Sequence, residues 1–388
     1  MRASKQTLIG FLLLFIVSCV EPYQPEISEM QDLLVVNGRI TDRPGEHLVE
    51  VSRSSPYNDP AYNPVTGCVV RVEDFNGTGV TYAETRPGVY SAYLDEPFLG
   101  VNKAYKLYVF TPDGQEYQSE YDSLLECPSL QNLYYRVESR ETEDPDITYF
   151  GLQFFVDVMG ERNESRNFLW KLEESFEYNS AYRIQFIWNN NILTTFNPLA
   201  DSLYTCYLTQ PVKELYTAST TYLSENELNR YPLSFVSNQT NKLLIKYSLL
   251  ASQHSLSEEA YLYWDRITNQ LSEGGGLYEK QPSGTDGNIF NVNDAGEKVL
   301  GYFYASQVKE KRIIVENTFG FRIPEFTCTL DTANGVNELG ETFLYMISFS
   351  RDPSYPDSPP YGYGDPSCFD CRMKGGTTEP PDYWNDEQ

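Results

Sequence analysis

The stretch Cys68-Val69-Val70-Arg71-Val72-Glu73-Asp74-Phe75-Asn76-Gly77 decides the fold class. Its residues alternate with period two up to Asp74, and Asn76-Gly77 supplies a hairpin turn. A half-buried strand has this pattern and an amphipathic helix does not. The same signals recur on both sides. Residues 33–40 read as a strand, and residues 47–52 as a second after the Pro44-Gly45 turn. Pro87-Gly88-Val89-Tyr90 opens another, residues 104–110 another, and Pro112-Asp113-Gly114 turns that one into residues 115–121.

Short strands separated by Gly, Pro, Asn and Asp predict a β-sandwich over residues 31–128. The Gly88-Val89-Tyr90 strand start is similar to that of immunoglobulin-like and carboxypeptidase-regulatory-like domains, a likeness at the level of fold alone. Residues 129–388 predict a larger β-rich domain, with strands at 132–137, 149–158, 168–178, 182–188, 203–208, 243–252, 299–308 and 312–315. One short and one long helix interrupt it. Ser224-Glu225-Asn226-Glu227 reads as a capping box that starts the short helix. Residues 255–272 form the long one, with Ser255 and Glu258 as its capping box and Gly274-Gly275-Gly276 as its stop. Leu256, Ala260, Tyr263, Ile267 and Leu271 make its apolar face. From Asp352 the tail is interrupted by Pro353, Pro356, Pro359 and Pro360, which argue against regular structure.

The N-terminus has the order of an export signal. Arg2 and Lys5 are basic, residues 8–17 are apolar, and Ser18-Cys19 ends the run. The run is shorter than the roughly 20 residues that span a bilayer. Ile16-Val17-Ser18-Cys19 resembles a lipobox, which makes residues 1–18 a signal peptide and Cys19 the expected lipidation site. Residues 20–30 then form an extended tether, since their prolines and glutamates deny it a core. The chain carries 55 acidic against 29 basic side chains, a net charge of -26. Such a surface repels phosphate backbones, which excludes nucleic acid as a partner. Tyrosine occurs 31 times, in keeping with a strand-rich body.

Cys19 aside, Cys68, Cys127, Cys206, Cys328, Cys368 and Cys371 remain. An even number in an exported chain suggests disulfides, with 15 possible pairings. Cys68 with Cys127 is the expected pair of the first domain. Cys368 and Cys371, with Cys206 and Cys328, are expected to clamp the tail onto the second, in preference to a redox pair or half a zinc site.

Catalytic motifs fail one by one. His47 and His254 are the two histidines, and neither has metal or triad spacing, so they read as surface or capping residues. No Gly-Lys-Ser/Thr follows the glycine triplet, so it is no phosphate loop. The Asn291–Asn293–Asp294 run lacks calcium-liganding oxygens at the later loop positions, Ala295 and Tyr302 among them. A solvated acidic loop is the better reading of Asp352, Asp357 and Asp365. Glu258 and Glu259 fit the first turn of a helix through the dipole alone. No catalytic residue, metal or cofactor is expected. Asp122-Ser123-Leu124, Asp201-Ser202-Leu203 and Asp331-Thr332-Ala333 resemble a short O-glycan acceptor motif, which makes Ser123, Ser202 and Thr332 candidate glycan sites.

A set of pieces in order carries a family resemblance: Leu34-Val35-Val36-Asn37-Gly38 with Thr41-Asp42; Tyr247-Ser248-Leu249-Leu250 with Ser255-Leu256-Ser257; Ala260-Tyr261-Leu262-Tyr263-Trp264; Gln281-Pro282-Ser283 with Gly287-Asn288-Ile289; Val299-Leu300-Gly301-Tyr302-Phe303; and Cys368-Phe369-Asp370-Cys371-Arg372 with Gly375-Gly376-Thr377. By these the chain resembles a Bacteroidetes lipoprotein family, domain of unknown function 4249. That resemblance implies an outer-membrane, cell-surface accessory protein whose partner is a TonB-dependent receptor, and it implies no catalytic residues. A carboxylate-dependent surface hydrolase and a structural envelope or adhesion lipoprotein are the competing readings.

Overall fold

The alternation seen in the sequence is the packing pattern of the N-terminal sheet. Along Leu34–Thr41, Leu34, Val36 and Ile40 are buried, while Asn37 and Arg39 are exposed. Gly45–Arg53 pairs antiparallel with this strand, Val51 beside Val36 and Val49 beside Gly38, so both valines share the inner face. The quoted stretch forms Val69–Asp74, with Val70 and Val72 inward. Gly79–Arg86 turns a corner: its first half pairs with Val69–Asp74 and its second with Val89–Leu94. The sheet of 11 strands therefore folds over one core that includes Leu34, Val36, Val70, Leu107, Val109 and Tyr117. Each such aliphatic residue contributes about 1.5–3 kcal/mol by leaving water, and the result is a sandwich-like arrangement. The computed structural model describes residues 32–55, 61–141, 148–273, 286–348 and 361–385. Strand takes 51% and helix 11%, so the chain is mainly β.

Residues far along the chain complete this first sheet. Ile289–Asn291 pairs with Glu116–Ser119 at one end, and Phe303–Ser306 pairs in parallel with Leu34–Thr41 at the other. The close approach needs glycine. Gly301 has φ +95°, and a Cβ there would lie 2.1 Å from the Val36 carbonyl oxygen; one on Gly287 would lie 1.8 Å from that of Gly301. Asn288 then locks the join, its Nδ2 donating to the Phe303 carbonyl at 2.7 Å and its Oδ1 accepting from the Phe303 N–H at 3.0 Å.

A second core, with Leu152, Phe154, Trp170, Leu172, Tyr247 and Leu249, lies between two further sheets. One holds Ser129–Glu141, Thr148–Gly160 and Asn226–Ser237. The other centres on Asn167–Asn179, flanked by Thr205–Pro211 and by Lys246–Ser255, with Val308–Glu316 beyond. The stretch expected as one strand at 299–308 is broken at Gln307. Phe303–Ser306 belongs to the first sheet and Val308–Glu316 to this one, so a single residue links the two.

The long helix is Glu258–Glu273. Ser255 ends the preceding strand, and the cap is Ser257, whose Oγ accepts from the Ala260 N–H at 3.2 Å. Leu256, Ala260, Tyr263 and Ile267 pack with Leu169, Tyr302 and Tyr304, whereas Leu271 is exposed. The glycine stop, Gly274-Gly275-Gly276, lies outside the described residues, as do residues 1–31 with Cys19, and Asp352 and Asp357.

Further expectations are overturned. The short helix at Ser224–Glu227 is instead a turn running into the strand Asn226–Ser237. The side chain of Asn226 is buried and donates to the carbonyls of Glu161 and Ser165, and the strand pairs along Thr148–Gly160. Long-range pairing outweighs a local capping signal worth about 1 kcal/mol. Cys68 and Cys127 are free thiols. Cys68 belongs to the first core, whereas Cys127 sits under Gln253 of another sheet, its Sγ 3.7 Å from the Gln253 carbonyl. Tail pairs form as Cys206–Cys371 and Cys328–Cys368. Tyr361–Tyr363 adds a short strand between Asp331–Ala333 and Phe343–Ser348, so the tail has some regular structure.

Candidate functional site

Strand alternation assigns each face of the two linked sheets. On Phe303–Ser306, Phe303 and Ala305 enter the first core, which turns Tyr304 the other way, into the cluster around the helix. On Asn167–Asn179, Trp170 and Leu172 enter the second core, while Leu169 and Lys171 take the opposite face. Register continues that face sideways: Lys171 lies beside Ser252 and then Glu310, Leu169 beside His254 and then Val308. Opposite stand the outer positions of the first sheet, Asn37, Arg39, Leu48 and Glu50 among them. Between the two walls is a cleft of about 590 Å³, closed at one end by Trp264 of the helix and by Tyr302 and Tyr304.

The two walls are tied at the single-residue link. Asp42 Oδ1 accepts from the Val308 N–H at 3.0 Å, and Arg43 pairs with Glu310 at 2.6 Å. That ion pair is partly exposed, so it is worth about 0–1 kcal/mol and serves mainly to hold register. Glu310 also accepts from the Ser252 hydroxyl at 2.9 Å.

The two histidines, expected as surface or capping residues, are both buried and both line this cleft. His47 accepts from the Thr41 N–H at Nδ1, so its proton sits on Nε2 and is donated to the Arg43 carbonyl at 3.0 Å. Burial holds its pKa below the ordinary histidine value, against the raising effect of its backbone partners. His254 contacts Ser306 Oγ at 3.2 Å through Nδ1. Its pKa lies well below the ordinary value, through burial first and then through the charges of Lys171, Arg39 and Arg43. Of those three cations, Arg43 is paired with Glu310. In a chain of net charge -26, the cleft lining sets Arg39, Arg43 and Lys171 against Glu46, Glu50 and Glu310.

The aromatic end has a second peculiarity. The ammonium of Lys171 lies 5.2 Å from the centre of the Trp264 ring and 5.6 Å from that of Tyr304. Among the described residues, neither Lys171 nor Arg39 has a carboxylate at ion-pair distance. Trp264 Nε1 and the Tyr304 hydroxyl are buried without a hydrogen-bond partner. Leaving each unpaired costs about 1–3 kcal/mol, so two in contact at one corner form a feature that folding alone does not explain. The sequence reading passed over Lys171, yet its place carries a signal. It lies in Phe168-Leu169-Trp170-Lys171-Leu172, a lone cation in a strand apolar on both faces.

These observations can be set beside known proteins. The chain belongs to the family described as Domain of unknown function (DUF4249). The family's model matches residues 20–312. No curated protein matches the chain. Among solved structures, trypsin-activated alpha-2-macroglobulin from Escherichia coli is similar over 59% of this chain, at 10% identity and a TM-score of 0.20, and the chain spans 15% of that protein's length. So loose a superposition carries no argument about fold or role.

The pieces that carry the family resemblance are largely joints. Asp42 caps the link between sheets, and Gly287, Asn288 and Gly301 permit and lock the parallel strand. Cys371 holds the tail through its disulfide, and Gly376 leaves room for the Tyr178 hydroxyl, which would lie 2.4 Å from a Cβ there. Cys368 and Cys371 are each bonded to a distant cysteine, so they are clamps and not a redox pair. Asp365 caps a short turn through the Ser367 N–H, and Asn291 accepts from the N–H groups of Asn293 and Asp294, which makes both structural. Glu258 and Glu259 lie in the first helical turn. Of the glycan candidates, Ser202 and Thr332 are exposed; Ser123 is half-buried between buried Asp122 and Leu124.

Asp122 is a site that local sequence did not reveal. Its Oδ2 accepts from the Ala305 N–H at 2.7 Å, behind the aromatic corner. Burial raises its pKa to about 6, against hydrogen bonds from Ser257 and Ala305 that lower it.

Proposed function

We propose that the protein is an outer-membrane lipoprotein, anchored by lipid on Cys19 and exposed at the cell surface, that binds a ligand for a TonB-dependent receptor and has no catalytic role of its own. The cleft is the observation that carries the binding role. It is preformed, has an aromatic end with two unpaired donors, and carries cations and carboxylates in equal number within an otherwise acidic body, which are the features of a small-ligand site. The ordered signal ending in Ser18-Cys19 supports the anchor, and the family match begins at residue 20, directly after that cysteine. Several acyl chains hold a protein stably at a membrane, since each buried methylene contributes about 0.8 kcal/mol. The receptor partnership rests on the family resemblance.

Two measurements test this. Labelled palmitate should enter the wild-type chain and not Cys19→Ser. The native chain, solubilised from outer membranes in mild detergent, should copurify with a β-barrel receptor. Equal labelling of the Cys19→Ser variant removes the anchor, and a chain that always purifies alone removes the partner.

A further inference from the structure

We propose that the aromatic corner of the cleft binds a small carboxylic acid, with the carboxylate held by Lys171 and by the two unpartnered donors of Tyr304 and Trp264. This deepens the binding role proposed above and rests on it.

Four observations converge on an anion. Lys171 and Arg39 lack carboxylate partners among the described residues. The Tyr304 hydroxyl and Trp264 Nε1 are buried and unpaired, and Tyr304 is only 2% exposed. Indole N–H can only donate, so its partner must be an acceptor. His254 lies near Lys171 and Arg39, and near Arg43, whose charge is paired with Glu310. Lys171 reaches both rings on a flexible four-carbon stem, which puts its ammonium and the two donors at one corner.

The donor set also selects among anions. Phosphate sites gather helix N-termini, backbone N–H groups and several guanidinium groups. Here the first turn of the helix carries Glu258 and Glu259, which occupy its positive end. One ammonium with two neutral donors matches the single charge of a carboxylate. Tyr302, stacked on Tyr263 with ring centres 4.5 Å apart, and Trp264 offer ring surface to an apolar body attached to it. Glu50 and Glu46 stand on the opposite wall and disfavour a second negative charge on the ligand.

The test is calorimetric titration of the purified full chain with N-acetylphenylalanine, indole-3-acetate and octanoate, each compared with its neutral amide. At least one acid should bind at least about tenfold more tightly than its amide, the scale of one charge-assisted hydrogen bond. Lys171→Met, which keeps the apolar stem, should abolish that preference. Lys242→Met, which alters a cation at a separate cleft, should leave it intact. Equal binding of acid and amide, absence of saturable binding by all three acids, or an unchanged preference in Lys171→Met overturns the proposal. Copurification of the wild-type chain with a receptor separates the two readings. If the partner is retained and acid binding is absent, only the ligand class falls; if acid binding persists without a partner, only the receptor role falls.

Discussion

Replacing Asp122 by Asn tests the seam behind the cleft. Asp122 joins three elements: its own strand, the Phe303–Ser306 strand through the Ala305 N–H, and the helix start through Ser257. Its pKa rises from 3.8 to about 6 because burial penalises the charge more than its donors favour it. The folded chain therefore holds this proton more tightly than the unfolded chain. Stability from the group is complete below pH 3.8 and is lost as pH rises through about 6. At about 1.36 kcal/mol per unit, the loss is about 3 kcal/mol above pH 7. Asp122 is only 4% exposed, so solvent screening takes little from that figure. Asn keeps an acceptor for Ala305 and carries no charge. Guanidinium unfolding of both proteins should show the variant gaining about 2–3 kcal/mol relative to wild type between pH 4 and pH 8. The histidines titrate in both proteins and cancel in the difference. Parallel pH profiles for the two proteins would mean that the carboxylate ionises without penalty, and the seam would then be held by a charged hydrogen bond.

Cys371→Ser should lower stability by up to about 5 kcal/mol, because the Cys206–Cys371 bridge spans 165 residues and loop-closure entropy grows with span; denaturant midpoints with and without reductant check this, and reductant should have a smaller effect on the variant. Gly301→Ala should destabilise by at least about 2 kcal/mol, because φ is +95° and the new methyl would meet the Val36 carbonyl; thermal melting reads the loss, and an unchanged midpoint would show that the parallel strand adapts. Intact-mass spectrometry of natively expressed chain should place any O-glycan on exposed Ser202 or Thr332 and leave Ser123 bare, and a glycan on Ser123 would require modification before folding.

Much of the first sheet was legible because a half-buried strand writes its own period, as Val70 and Val72 do against Arg71. The long helix was legible for the same reason at a different period, through Leu256, Ala260, Tyr263 and Ile267. Local pattern failed where partners lie far apart in the chain. Ser224-Glu225-Asn226-Glu227 has the residues of a capping box, but Asn226 finds Glu161 and Ser165, and the strand behind it finds Thr148–Gly160. Cys68 and Cys127 share a span of sequence without sharing a core. Ile289–Asn291 is three residues long, too short to show a period, yet it closes one edge of a sheet whose nearest strand ends at Ser119. The cleft was invisible for this reason: its walls come from residues 37–50, 171, 252–264 and 302–310, and a lone lysine says nothing about the arginine that faces it.

A division of labour follows from where the family pieces fall. Asp42 ties the two sheets across the single residue Gln307, and Gly287, Asn288 and Gly301 seat the parallel strand in the first sheet. None of the four lines the cleft. Trp264 and Tyr302 do line it, and they belong to those pieces, so the aromatic end goes with the scaffold. Arg39 and Lys171, two of the cleft's cations, lie outside those pieces although within the residues that the family's model matches. Changing a joint residue should therefore cost stability first, as with Gly301→Ala. Changing Lys171 should cost less, about 1 kcal/mol for its contacts with the Trp264 and Tyr304 rings, and should act chiefly on the binding proposed for the cleft.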